Sequence, residues 1–243
     1  MPSPTDFNLS PYFDDFNESK KFHRVLFRPA FAVQARELTQ SQTILQNQIE
    51  RVGDHLFKQG AMVIPGQVSI DTEYYAVKLT SIDSSNTLAQ FTTGTILTGG
   101  TSGVTAEITK TEATDGTDPD TIFVKYSKTG TNNTADVFSD GETLTGTNSD
   151  SVSLSCVVDT TATGSAAAVQ AGTYYINGFF VNNDTETLIL DKYTNTPSYR
   201  VGFTVTESFV TPSDDSSLND NAAGSSNANA PGAHRFKILL TLA

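Results

Sequence analysis

From Leu38 to Gly60 the sequence runs LTQSQTILQNQIERVGDHLFKQG, and its apolar residues fall in one narrow seam. With Leu45 at position d of a heptad, Ile49 takes a, Val52 d and Leu56 a; going backwards, Gln42 takes a and Leu38 d. Alternating steps of four and three put these side chains on one line of a helix, and all but Gln42 are apolar. Ile44 and Phe57 lie off the seam and mark a second packed surface. Glu37 suits the first turn, Lys58 the last, and Gly60 the stop. The spacing predicts a helix over Gln34–Lys58, roughly 37 Å long at ~1.5 Å per residue. That is longer than one face of a small sheet requires. Two packings would satisfy the seam: lengthwise on the chain's own sheet, or against the same helix of other copies. Its narrowness favours the bundle, with Gln42 as the polar a residue that fixes register. Gly53 costs the helix ~1 kcal/mol relative to Ala, which points to close approach of a neighbour there.

Most of the sequence after the helix has a period of two. AMVIPGQVSIDTEYYAVKLTSI from Ala61 offers short strands punctuated by Pro65-Gly66. From about Asp83 to Gly164 the composition turns to Thr, Gly, Ser and Asp. Within that stretch FTTGTILTGGTSGVTAEI (from Phe91) is echoed by FSDGETLTGTNSDSVSLS (from Phe138). Phe, Gly, Leu-Thr and Gly recur at a constant offset of 47 residues. This spacing implies two related hairpin units. Beyond Gly164 aromatic strands return, with Asn177-Gly178 as a type I′ hairpin signal. FKILLTLA is a strand on which the sequence stops, which suggests a longer polypeptide. The expected fold is α+β and mainly β. It comprises an aromatic arm (1–33), a long helix (34–60), a discontinuous antiparallel β domain (61–82 and 165–243) and an inserted β module (83–164).

Charge and composition narrow the function. The net charge of −12 falls wholly beyond residue 58, because the first 58 residues hold seven basic and seven acidic side chains. An acidic strand region argues against nucleic acid as a partner. No apolar run reaches the ~18 residues of a membrane span, and MPSPTDFNLSPYFDD has no basic start or apolar core of a signal peptide. The protein is expected to be made and folded in a cytoplasm.

Candidates for chemistry are few. Cys156 alternates with Val152, Leu154 and Val158, which reads as a small buried hydrophobe. His23, His55 and His234 stand apart, and no zinc-protease, nucleophile-elbow or phosphate-loop motif is present. Asp115, Asp118 and Asp120 bracket a turn but lack the bidentate Glu of a calcium loop. No catalytic residue, cofactor or metal ligand is assigned, and the chain is not expected to be an enzyme. In the arm, Phe13, Phe16 and Phe22 with Arg24 and Arg28 read as a docking segment, buried on this chain or on a neighbour.

Two stretches carry a resemblance. YFDDFNESKKFHRVLFRPAFAVQARELTQSQTILQNQIERVGDHLFKQGAMVIPG and SLNDNAAGSSNANAPGAHRFKI are similar to large virion structural proteins of tailed phages. These are prominent in T4-like cyanophages, where members are described as baseplate or tail-fibre-like proteins. FAVQARELTQ…LQNQIE is the most specific part. The resemblance implies a virion location, other baseplate or tail proteins as partners, and no catalytic site. Phage appendages are commonly trimers, so it also implies a homotrimer gathered by the helix through Leu38, Gln42, Leu45, Ile49, Val52 and Leu56. Two competing readings are a receptor-binding module whose Thr/Ser-rich insertion touches host surface glycan, and a glycan-degrading enzyme.

Overall fold

In the computed structural model, which describes residues 4–131 and 133–243, the fold is α+β and mainly β. One helix, α1 (Ala35–Leu56), precedes strands β1 (Met62–Ile64) and β2 (Val68–Ile82). Then come β3 (Ile96–Gly99), β4 (Thr105–Glu112), β5 (Thr121–Lys128), β6 (Thr143–Thr147) and β7 (Ser153–Val169). The last strands are β8 (Gly172–Ile176), β9 (Phe179–Asn183), β10 (Glu186–Asp191), β11 (Phe203–Val210) and β12 (Arg235–Leu242). Contacts divide the chain into two compact units. The first comprises the chain up to Gln67, Val169–Glu186 and Gly202–Ala243; the second comprises Val68–Ala168 and Thr187–Val201.

The first unit holds α1, the antiparallel sheet β1-β8-β9 and the antiparallel pair β11-β12. Tyr174, Ile176, Val181 and Leu240 form its buried cluster, with Phe179, Phe203 and Ile238 against it. The turn between β8 and β9 is Asn177-Gly178, both at positive φ (49° and 87°), as a type I′ turn requires.

The second unit is a closed barrel. Its strands run β10-β7-β2-β5-β4-β3-β6, and β6 also pairs with β7, so the ring β2-β5-β4-β3-β6-β7 has no free ends. The repeat explains the closure. Antiparallel pairing sets Thr98 opposite Thr145 and Ala76 opposite Phe123, and both pairs are separated by the same 47 residues. Each of these residues therefore faces its own counterpart, and a pseudo-two-fold axis passes between the halves β2-β3-β4 and β5-β6-β7.

The echoed residues have matching roles. Phe91 and Phe138 are fully buried in the barrel, as are Leu97 and Leu144. Gly94 and Gly141 both adopt positive φ (86° and 76°), where a side chain would be strained. Their N–H groups donate to Ile108 O and Val158 O, at 2.8 and 2.9 Å. Val104, Ala106 and Ile108 of one half correspond to Leu154, Cys156 and Val158 of the other, all in one core.

These boundaries differ from those expected from composition. The second unit takes in Val68–Ile82 and Thr187–Val201, which composition alone assigns to the flanking β domain, and each repeat has three strands, not two. Tyr75 to Lys78 pair with β5, so β2 is integral to the barrel.

A buried carboxylate pins the β3–β4 turn. Glu142 is 4% exposed and accepts from Thr101 N (3.0 Å), Ser102 N (2.9 Å), Ser102 Oγ (2.8 Å) and Ser139 N (2.6 Å). Burial pushes its pKa up, but the hydrogen bonds from Ser102, Ser139 and Thr101 together outweigh burial and hold it below the usual value. A carboxyl whose folded pKa is lowered stabilises the fold above its unfolded value, and that contribution is lost as pH falls through the folded value. Glu142→Gln should therefore cost about 3 kcal/mol at neutral pH, since an amide nitrogen faces backbone donors. The gap to wild type should narrow below pH 4.5, the ordinary carboxyl value. Denaturant unfolding of both chains across pH checks this.

Candidate interaction site on the helix and arm

The seam of α1 is bare. Leu38, Leu45, Ile49, Val52 and Leu56 are between 48% and 67% exposed, and Gln42 is exposed beside them. The helix begins at Ala35, one residue after the expected start, with Gln34 as its N-cap: Glu37 Oε2 accepts the Gln34 N–H at 2.9 Å, forming a capping box. It ends at Leu56, two residues short of the expected Lys58.

The flanks of the seam are covered by the chain itself. On one side Tyr175, from β8, is fully buried, and its ring lies where a Cβ on residue 53 would be only 2.5 Å from Cε2. Gly53 thus admits the chain's own tyrosine, where the sequence points to a neighbouring copy. The Tyr175 hydroxyl bridges Glu50 O and Asp54 Oδ1, each at 2.9 Å. Burial, then the Asp54 carboxylate, push its pKa up to about 12. Gln46 Nε2 donates to Gly178 O at 2.7 Å, tying the helix to the β8–β9 turn.

The arm covers the other side. Asp14 is buried and accepts from Thr43 Oγ1, Asp15 accepts from Gln40 Nε2 at 3.1 Å, and Arg51 pairs with Glu18. Ile44, 4% exposed, fills this contact and shares a cavity of about 260 Å3 with Phe16 and Phe22. The off-seam Ile44 and Phe57 therefore do mark packed surfaces, Phe57 meeting Tyr175 and Phe180 at 5.8 Å. The predicted seam is the apolar line of the helix that the chain leaves uncovered.

The arm itself divides in two. Its start is packed: the Phe7 ring meets Phe209 and Phe236 edge-on at 5.8 and 5.0 Å, and the Tyr12 hydroxyl bonds His234 Nδ1 at 2.7 Å. Phe16, one of the predicted docking residues, is half-buried against the chain's own helix. Phe13 and Phe22 are exposed, as are Arg24 and Arg28, and Leu26, Phe27, Phe31 and Val33 are exposed with them. The two halves should differ in their effect on stability. Phe7→Ala should lower the stability of the first unit by about 2 kcal/mol, whereas Phe27→Ser with Phe31→Ser should change it by less than about 0.5 kcal/mol. Thermal unfolding of the variants measures both.

Beside the seam, Gln42 also lines a cavity of about 720 Å3 walled by Phe7, Tyr12, Phe179, Phe209 and Phe236. Elsewhere several titratable groups are committed to structure. Asp115 Oδ1 accepts from Thr117 N and Asp118 N, and Asp120 Oδ1 from Thr114 N, within a turn. Asp118 pairs with Lys78 (3.1 Å) and Lys192 (3.8 Å). Cys156 is buried in the barrel, and burial pushes its thiol up to about 12. Among the described residues no three His, Cys, Asp or Glu side chains gather as a metal site. No helix among them is long and apolar enough to cross a membrane.

Comparison with curated proteins and with solved structures finds no match. A family model described as a domain of unknown function (DUF4815) matches residues 10–127 and 120–243. The two matches run from Ser10 in the arm through the helix and both β units to Ala243, and by that coverage the chain belongs to the DUF4815 family.

Proposed function

We propose that this chain is a non-enzymatic structural component of a phage tail, a baseplate-peripheral or tail-fibre connector that assembles as a homotrimer through α1. One observation carries the reading. Both flanks of the helix are packed by the chain's own hairpin and arm, while the a and d residues stay bare. A stripe of five exposed apolar side chains on one helix is what a coiled-coil seam looks like before its partners arrive. The virion location rests on the resemblance of the arm, helix and C-terminal segments to tailed-phage structural proteins.

The glycan-binding reading of the Thr/Gly-rich module gains no support from its aromatics. Phe91, Phe123 and Phe138 are buried and Tyr126 is half-buried, so none offers an open platform for a sugar ring. Labelling intact particles with antibody raised against the purified chain tests the location. Label on the tail or baseplate is expected; label confined to capsids, or absent from particles, would contradict it.

A further inference from the structure

Between Ser19 and Arg36 the chain carries Lys20, Lys21, Arg24, Arg28 and Arg36 and no carboxylate, although the whole protein is at −12. Lys20 and Arg36 are tied to Asp15, each at 3.7 Å. Lys21, Arg24 and Arg28 form no ion pair among the described residues, and the Arg28 guanidinium lies over the Phe31 ring at 4.7 Å. Residues 21–28 belong to no helix or strand, and Phe22, Leu26 and Phe27 among them are 52–77% exposed. Arg28 precedes Pro29, which keeps it out of helical geometry.

A complementary surface exists on the second unit. The registered pairing of β2 with β5 covers only Tyr75 to Lys78. Val68 to Glu73 run past it, exposed throughout, and the edge on the β5 side has no registered strand among the described residues. That stretch reads VSIDTE, with Val68 and Ile70 62% and 68% exposed and followed by Asp71 and Glu73. Asp71 Oδ1 accepts the Glu73 N–H at 2.8 Å, so the edge is open mainly ahead of Glu73. Open strand edges accept added strands through main-chain bonds, and side chains set the partner.

We propose that residues 21–28 of one copy add as a strand to the Val68–Glu73 edge of another copy, with Arg24 and Arg28 on the strand face that carries Asp71 and Glu73. Eight extended residues span roughly 26 Å, enough for an edge of roughly 20 Å. Donor and acceptor are different surfaces, so the contact is heterologous. The inference rests on the self-assembling reading above, and the two are separable by salt.

The test uses the full chain with Ile49→Asp, in which the helix contact is removed; Leu45→Asp is a second background if the first does not fold. Sedimentation at about 0.05 M salt should show multi-copy assemblies that fall to single copies at about 0.5 M, where screening is strong. Arg24→Glu with Arg28→Glu should weaken the low-salt assembly about tenfold or more, and so should Asp71→Lys with Glu73→Lys. Combining the four substitutions should restore it. Single copies at low salt, or a combined variant no better than either pair, would overturn the proposal. So would salt-sensitive binding of a random-sequence DNA duplex that the arginine variant loses while the low-salt mass stays unchanged. Failure of the helix reading shows elsewhere, as a wild-type chain that is already a single copy at about 0.5 M salt, where the arm contact is silenced.

Discussion

A chain carrying Ile49→Asp is expected to run as a single folded copy at about 0.5 M salt, under conditions where the unaltered chain stays assembled. Ile49 is 48% exposed in the single chain, so a carboxylate there meets water and costs the monomer little. In a three-fold bundle the same position lies on the axis, where three like charges would meet without a cation. Burying even one unpaired charge costs several kcal/mol. The contrast between an unharmed monomer and a lost assembly distinguishes a seam from a core position. Circular dichroism of the variant should match the unaltered chain; a variant that unfolds would place Ile49 in the chain's own core.

Tyr175→Ala should have the opposite signature. The ring is fully buried between Gly53, Phe57 and Phe180, and its hydroxyl holds Glu50 O and Asp54. Truncation leaves a cavity and removes these bonds, a loss of about 3–5 kcal/mol. The first unit should then unfold early, and the helix should lose its place on the β8–β9 hairpin. Tyr175→Phe keeps the ring and should cost only about 1 kcal/mol. Denaturant melts of the two variants, read by helical circular dichroism, check the ranking. Equal losses would mean that the hydroxyl, and not the packed ring, anchors the helix.

The parts of the fold legible in the sequence are those under the strictest physical demand. The helix and its seam can be read because a period of three and four with polar flanks leaves no strand alternative. The repeat shows at Phe91/Phe138 and Gly94/Gly141 because a buried ring and a positive-φ turn each admit few residues. Its third strand is harder to see, although Val77-Lys78 is echoed by Val124-Lys125 at the same 47-residue offset. Alternating Val and Lys suit any half-buried strand, so that signal does not separate β2 from the strand before it. The self-packing of Phe7, Tyr12 and Phe16 depends on β11, β12 and α1, distant in sequence, and no local pattern announces it. Gly53 reads as room for a neighbour, and the neighbour is Tyr175 from the same chain. A glycine records that something comes close, without saying from where.

Whether α1 gathers three copies along its bare seam is tested most directly by the mass of the unaltered assembly. Sedimentation equilibrium at about 0.5 M salt, where the arm contact is screened, reports the helix contact alone. The expected mass is three times the 26.0 kDa of one chain. A mass of one chain, or an assembly that Ile49→Asp leaves unchanged, would contradict it.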